Sequence, residues 1–262
     1  MTEVLDAEAG PDSDRLKTVT TSLRVLEAVA RHQPVTSGEL SKIVEVPEWT
    51  VPRILAALNA AGWLRAHRGE TTRWEIGARV LAVRPAALRS ASLLPAARQP
   101  MVRLRDLLNE TIHLSVPDAL NEMVVVDRVD CDHPVRTFLA LGETSPSHAT
   151  ATGHAILAHM PVSEAEETMR GAHGEDRHET VTDPAELHAE LGRVRDRGYA
   201  VDQNRYHPGV CTIAAPVLDM DGTPLAAVAV SLPDSRFDPG RLGELGQLVK
   251  DTGAEITAHH FG

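Results

Sequence analysis

Cysteine is scarce in this chain: Cys131 and Cys211 are the only two among 262 residues. Two cysteines cannot staple a disulfide framework. Lysine is scarce as well, three against 23 arginines, a usage that reflects coding bias rather than chemistry. No apolar run approaches the roughly 18 residues that a membrane span requires. The first 14 residues carry five acids and no base, and no apolar stretch follows them. That is the wrong charge for a secretory leader, and the reading places the protein in the cytoplasm with no membrane partner. No Gly-x-Ser-x-Gly elbow occurs, and neither cysteine lies in a recognisable nucleophile context, which argues against a hydrolase and against an enzyme generally. What remains, 42% hydrophobic and 24% charged residues, is an ordinary globular composition with room for one large domain or two modest ones.

The net charge of −11 argues against a nucleic-acid partner until it is divided. Residues 15–84 hold 11 basic and 6 acidic side chains, a net of +5, whereas residues 85–262 hold 15 against 26. A basic first third joined to an acidic remainder implies two modules with different partners.

Residues 1–14 read as an acidic disordered tail. Leu16, Val19, Leu23, Leu26 and Ala30 recur at helical spacing, and Pro34 ends that helix. Thr36-Ser37-Gly38-Glu39 is a capping box opening a short helix with Leu40, Ile43 and Val44 on one face. A third helix with Val51, Ile54, Leu55 and Leu58 inward ends at Gly62. Trp63–Arg65 and Arg73–Ile76 then form a hairpin around Gly69. Helix, short helix, turn, helix, hairpin is the order of a winged helix-turn-helix over residues 15–78. Residues 79–95 read as an alanine- and leucine-rich linker helix interrupted at Pro85. In residues 96–262 a helix over Met101–Leu108 precedes strands at Ile112–Val116, Met123–Val129 and Arg136–Leu141. Thr150–His159 reads as a helix, Ser163–Glu166 as a second capping box, and Pro184 as the start of a helix closed by Gly198. Val210–Leu218 and Leu225–Leu232 are strands joined through Asp221-Gly222, and a final helix spans about Pro239–His259. Helices and hairpins are segregated, so the class is α+β with an antiparallel sheet.

Six segments, in order, resemble the IclR family of bacterial transcriptional regulators: Ser22–Glu27, Trp74–Gly77, Glu110–Ser115, His148–Gly153, Gly198–Asp202 and Pro208–Val217. The resemblance spans roughly residues 18–260. It implies an N-terminal winged helix-turn-helix joined to a C-terminal effector domain of GAF-like fold, its antiparallel sheet flanked by helices. It also implies a homodimer or homotetramer that binds palindromic double-stranded DNA and responds to a small metabolite, often an organic acid, with no cofactor.

For DNA reading, the third helix presents Trp49, Thr50 and Arg53 near its start, with Arg53 suited to a guanine or phosphate and Thr50 to a phosphate or thymine methyl. Arg65, Arg68 and Arg73 on the wing are candidates for backbone or minor-groove contacts. Each of these arginines also has the plain reading of a solvated side chain. The turn departs from the family. Glu45 stands where relatives usually carry glycine, Trp49-Thr50 where Ser-Thr often opens the helix, and Pro52 comes early in it. If the helix begins at Pro47, Pro52 removes an interior hydrogen bond; if Thr50 is the N-cap, Pro52 falls in the tolerant first turn, and Trp49 precedes it as a staple or a base-stacking element. The second start is the expected one. These departures keep open a sensor with impaired DNA binding that acts through protein contacts.

For the effector, the resemblance maps contact positions onto Ala151, Thr152, Asp202, Thr212 and Ser231, with Ala229 where some members have serine. A helix N-terminus with a few hydroxyls suits a small carboxylate or a neutral polar metabolite. Thr212 and Ser231 are equally readable as strand packing, and Asp202 as a turn residue. Asn204-Arg205 replaces the paired acids that help bind zinc in some relatives. Neither Cys131-Asp132-His133 nor the pair His148 and His154 supplies three convergent ligands, so no metal is expected. Cys211, in an apolar strand, reads as a buried thiol.

Overall fold

Thr36 shows how locally the first module is specified. Its backbone N–H donates to Glu39 Oε2 at 2.8 Å, and its hydroxyl accepts from the Glu39 N–H at 3.3 Å, closing the expected capping box. The computed structural model describes residues 11–82, 92–137, 139–170 and 184–262, and divides the chain into two compact units, Met1–Arg89 and Ser90–Gly262. The first comprises α1 (Pro11–His32), α2 (Ser37–Val44), α3 (Val51–Ala60) and an antiparallel hairpin, β1 (Leu64–His67) with β2 (Arg73–Ile76). Helix α1 takes in residues 11–14, which composition alone assigns to the acidic tail; residues 1–10 lie outside the described residues. The hairpin is tied back by reciprocal backbone bonds between Val35 and Trp74, at 3.2 and 2.8 Å. Val25, Ala28, Val29, Leu40, Val44, Val51, Ile54, Leu55 and Leu64 fill the core. The buried face of α1 is therefore Val25–Ala28–Val29, not the stripe through Val19 and Leu23, which are 59% and 53% exposed. Helix α1 carries two apolar stripes, and the one that meets α2 and α3 is set by packing rather than by periodicity.

Of the expected linker helix at 79–95, residues 83–91 lie outside the described residues, and Leu93 onward belongs to α4 (Leu93–Leu108). That helix runs through Pro95 and Pro100 instead of beginning after them: Pro95 sits in the first turn, where no intrahelical donor is needed, and Pro100 is buried inside the helix.

The second unit is built on a six-stranded antiparallel sheet in the order β5-β4-β3-β8-β7-β6, comprising β3 (Thr111–Pro117), β4 (Glu122–Val129), β5 (Thr144–Pro146), β6 (Ala200–Gln203), β7 (Val210–Leu218) and β8 (Pro224–Pro233). Strand alternation sorts two cores. Ile112, Leu114, Ile213, Val217, Val228 and Val230 face α4 and the C-terminal helix α8 (Leu242–Phe261). Ala214, Ala227 and Ala229 face α5 (Ala151–Leu157) and α7 (Pro184–Arg197), beside which lies α6 (Val162–Arg170). This is the α+β arrangement expected, a curled sheet with helices on both faces. Two local readings are corrected. None of the described residues of Arg136–Leu141 is in a strand; the third strand is the three-residue β5, paired to the start of β4. Ser163–Glu166 is not a capping box, because α6 begins at Val162, with the Glu164 and Ala165 N–H groups both donating to the Pro161 carbonyl. No helix among the described residues is long and apolar enough to cross a membrane.

Candidate functional site

In the first unit, α2 ends at Glu45, which takes the left-handed conformation (φ 54°) that glycine would adopt without strain. Thr50 is the N-cap of α3 and Pro52 lies in its first turn, as the second of the two expected starts requires. The Thr50 hydroxyl makes no capping bond, however; the Thr50 N–H instead donates to the Pro47 carbonyl at 2.8 Å, closing a tight turn. Trp49 is 70% exposed, which excludes the staple reading and leaves its ring facing solvent at the head of α3. Arg53 lies exposed on α3, and Arg68 at the exposed tip of the hairpin. The other two wing arginines are engaged. Arg65 pairs with Glu75 at 3.1 Å and Arg73 donates to the Pro34 carbonyl at 3.0 Å. Sequence reasoning missed His67, which shares the Glu75 carboxylate at 2.8 Å. Arg65, followed by His67, holds the Glu75 carboxyl below its usual range.

In the second unit the cross-strand register places Asp202 opposite Thr212, Thr212 opposite Ser231, and Ser231 opposite Thr111. A polar row thus crosses β6, β7, β8 and β3 on the face that carries α5. The Thr212 and Ser231 hydroxyls are 3.0 Å apart. With Ala151 and Thr152 from the start of α5, all five expected effector positions line one cleft of about 490 Å³, part of it open to solvent. Helix α5 approaches closely because of Gly153: a Cβ there would stand 1.9 Å from the Ser147 carbonyl oxygen. Thr150 caps the helix by accepting from the Gly153 N–H at 3.2 Å, and the N–H groups of Ala151 and Thr152 have no intrahelical partner.

Asp202 is also a turn residue. Its two carboxylate oxygens accept from the backbone N–H groups of Arg205 (3.1 Å) and Tyr206 (3.3 Å). Burial outweighs those bonds and raises its pKa above the ordinary aspartate value. His113, in β3, lines the same cleft and was not singled out in the sequence, where it read only as the polar member of a strand alternation. It is fully buried, and desolvation, with the nearby Arg128 charge, pushes its pKa down to about 4, so the ring is neutral at pH 7. Cys211 is buried and its thiol is pushed up to about 12, mainly by desolvation. His154 donates from Nε2 to the His148 carbonyl at 2.7 Å, a structural bond. Among the described residues no group of three or more His, Cys, Asp or Glu side chains converges to hold a metal ion.

Comparison with known proteins places this architecture. The family profile for the bacterial transcriptional regulator IclR C-terminal domain matches residues 85–258. The transcriptional repressor IclR of Escherichia coli K12 is 29% identical over 256 residues, covering 96% of this chain and 93% of its own length. The repressor AllR of the same strain is 30% identical over 223 residues, covering 84% of this chain and 81% of AllR. Among solved structures, an IclR homologue from Microbacterium hydrocarbonoxydans, crystallised with 4-hydroxybenzoate, superposes with a TM-score of 0.73 at 23% identity, over 93% of this chain and 99% of that one. The profile match over most of the chain, together with full-length similarity to repressors, shows that this chain belongs to the IclR family of ligand-responsive bacterial transcriptional regulators.

Proposed function

We propose that residues 15–78 bind a palindromic operator and that residues 96–262 hold the effector in the cleft between α5 and the sheet, with Ala151, Thr152, Asp202, Thr212 and Ser231 as its contacts. The observation that carries this reading is the convergence of all five on one cleft: the cross-strand row Asp202–Thr212–Ser231 ends beneath the open N-terminus of α5. Helix N–H groups at that end suit a carboxylate, and the hydroxyls suit polar atoms of the same ligand. The 4-hydroxybenzoate held by the Microbacterium homologue supports a small organic acid as the effector class.

On the DNA side, Arg53 is the base-reading or phosphate-reading side chain of α3, flanked by Thr50 and Trp49, with Arg68, Arg65 and Arg73 along the wing. The chain acts as a homodimer or homotetramer. The exposed Val19 and Leu23 on α1 and the exposed Leu81 support an apolar contact between copies through the first unit. Removing residues 1–95 then reduces the oligomer in sedimentation; an unchanged assembly would assign the contact to the second unit.

The test of the cleft is a DNA-binding titration on the gene's own upstream region, with and without small organic acids, in the wild type and in Ser145→Phe, which fills the cleft from the edge strand β5. Coupling between effector and DNA of about 1–3 kcal/mol changes operator affinity roughly 5- to 150-fold. Ser145→Phe should lose that response and keep effector-free DNA binding. Wild-type sensitivity in the variant would place the effector elsewhere.

A further inference from the structure

Strand β7 outruns the strand beside it. Strand β6 pairs with it only from Cys211 to Ala214, so among the described residues Ala215–Leu218 have no strand on that side. The edge offers little to an added strand: Pro216 has no N–H, and the Leu218 carbonyl is taken by the Thr257 hydroxyl at 2.9 Å. Helix α8 lies close against it, since a Cβ on Gly253 would stand 2.6 Å from the Pro216 carbonyl oxygen. Beside this edge runs a groove of about 630 Å³, part of it open to solvent. Lys250, Ala254 and Thr257, at i, i+4 and i+7 of α8, line it from one helix, and His159, two residues past the end of α5, lines it from another. The groove shares no lining residue with the effector cleft.

The groove joins apolar surface, from Pro216, Leu218 and Ala254, to a single charge. Burial lowers the pKa of His159, so its ring is neutral at pH 7, and Nδ1 donates to the Ala155 carbonyl at 3.0 Å. Lys250 is then the one cation among the lining side chains, and no aspartate or glutamate lines the groove. That is a local reversal in residues 85–262, where 26 acids outnumber 15 bases, and Lys250 is the only lysine among those bases. Its stem lies across the bare Cα of Gly198, where a Cβ would stand 2.7 Å from the lysine Cε. Its ammonium makes one long bond, 3.4 Å to the Arg197 carbonyl, so donors of a three-donor group are left for an anion. A neutral apolar ligand would leave that charge uncompensated, and a small polar anion would leave the apolar surface uncovered. A chain with one anionic head meets both demands.

We propose that this groove is a second small-molecule site, which takes an amphiphilic monocarboxylate with its aliphatic chain along Pro216, Leu218 and Ala254 and its carboxylate on Lys250 Nζ. The probe is octanoate, titrated calorimetrically into the full chain at low ionic strength. Octanol keeps the chain and lacks the charge; acetate keeps the charge and lacks the chain. Three variants accompany the wild type: Lys250→Met, which keeps an apolar stem, Ala254→Phe, which fills the groove, and Ser145→Phe, which fills the effector cleft instead.

Octanoate should bind one-to-one, about fivefold tighter than octanol, the gain of one partly exposed ion pair, and about tenfold or more tighter than acetate. The margin over octanol should shrink in high salt and vanish in Lys250→Met, with octanol itself held to within about twofold. Ala254→Phe should abolish octanoate binding, and Ser145→Phe should leave it unchanged. Lys250 and Ala254 are both exposed, so neither substitution should lower the melting temperature. If Ala254→Phe nevertheless fails to fold, Lys250→Met and the salt dependence decide the matter by themselves. The proposal is overturned if octanol or acetate binds as tightly as octanoate, if octanoate binding survives Ala254→Phe undiminished, or if no saturable one-to-one binding is seen. Loss of octanoate binding in Ser145→Phe overturns it too, because that result puts the chain in the effector cleft. The assignment of the effector cleft is untouched by failure here, since its own test reads the DNA response to small organic acids.

Discussion

Replacing Gly153 with alanine should damage the cleft more than any change to a residue that lines it. The methyl would lie 1.9 Å from the Ser147 carbonyl oxygen and 2.3 Å from its Cα, all backbone, so no side chain can swing aside. Relief requires α5 to move off the His148–Thr150 junction by about 1 Å, and overpacking of this kind costs about 3 kcal/mol or more where backbone must move. The better helix propensity of alanine returns only about 1 kcal/mol. The matched control is Gly192→Ala in α7, where the added methyl meets nothing within 4 Å; there the same propensity gain should raise stability by about 1 kcal/mol. Identical chemistry therefore has opposite sign at the two sites. Urea unfolding followed by far-UV circular dichroism reads both. All three tryptophans, Trp49, Trp63 and Trp74, belong to the first unit, so their fluorescence reports that unit separately. Gly153→Ala should lower the dichroism midpoint, keep the tryptophan midpoint and weaken effector binding, since Ala151 and Thr152 move with the helix. A variant as stable as the wild type would refute the close approach of α5 to the strand before it.

His113 makes stability depend on acid: its folded pKa of about 4 lies below the unfolded value of 6.5, so the folded state resists protonation and stability falls as pH drops from 6.5 towards 4. The full span is worth about 3 kcal/mol, and His113→Leu should flatten that part of a stability-against-pH curve. Arg53→Ala should weaken DNA binding by about 1–3 kcal/mol with altered sequence preference if it reads a base, or uniformly with a salt slope about one unit smaller if it touches phosphate; unchanged binding at low salt removes Arg53 from the interface. Glu45→Gly should raise the stability of the first unit by about 1 kcal/mol, as judged by tryptophan fluorescence, by relieving the left-handed strain. Asp202→Ala should lower the stability of the second unit by about 1–3 kcal/mol, because two backbone N–H groups lose their acceptor, and it should remove the effector response as well; loss of the response at unchanged stability would make Asp202 a ligand contact alone.

Much of the winged unit was legible because its decisive interactions are short-range. The Thr36–Glu39 box, the strain at Glu45 and the placement of Pro52 each depend on residues within four positions of one another. The hairpin at Asp221-Gly222 was legible for the same reason: the Asp219 side chain accepts from the N–H groups of Asp221 and Thr223. Some errors are local, as at the Ser163–Glu166 box, and others fall where partners are remote. Strand β5 has three residues and exists only because Glu122, Met123 and Val124 present an edge to it. The exposed stripe of α1 has the same periodicity as a buried one. Asp202 was weighed as either a turn residue or a ligand contact, and the structure makes it bond a turn while it lines the cleft.

The sequence by itself determined the class of the protein, its two modules of opposite charge, the order of helices and hairpins and, through resemblance, five positions of the candidate site. Only the tertiary structure decided that these five line one cleft, Asp202, Thr212 and Ser231 on one face of the sheet and Ala151 and Thr152 at the start of α5, because strand register aligns residues far apart in the chain, such as Thr111 with Ser231 and Thr212 with Asp202. That His113 Nδ1 and Thr137 Oγ1 find no hydrogen-bond partner among the described residues is a tertiary fact too. Whether a polar atom is satisfied depends on everything packed around it, and the alternation of a strand tells which face a histidine takes without telling whether its ring nitrogens find partners there.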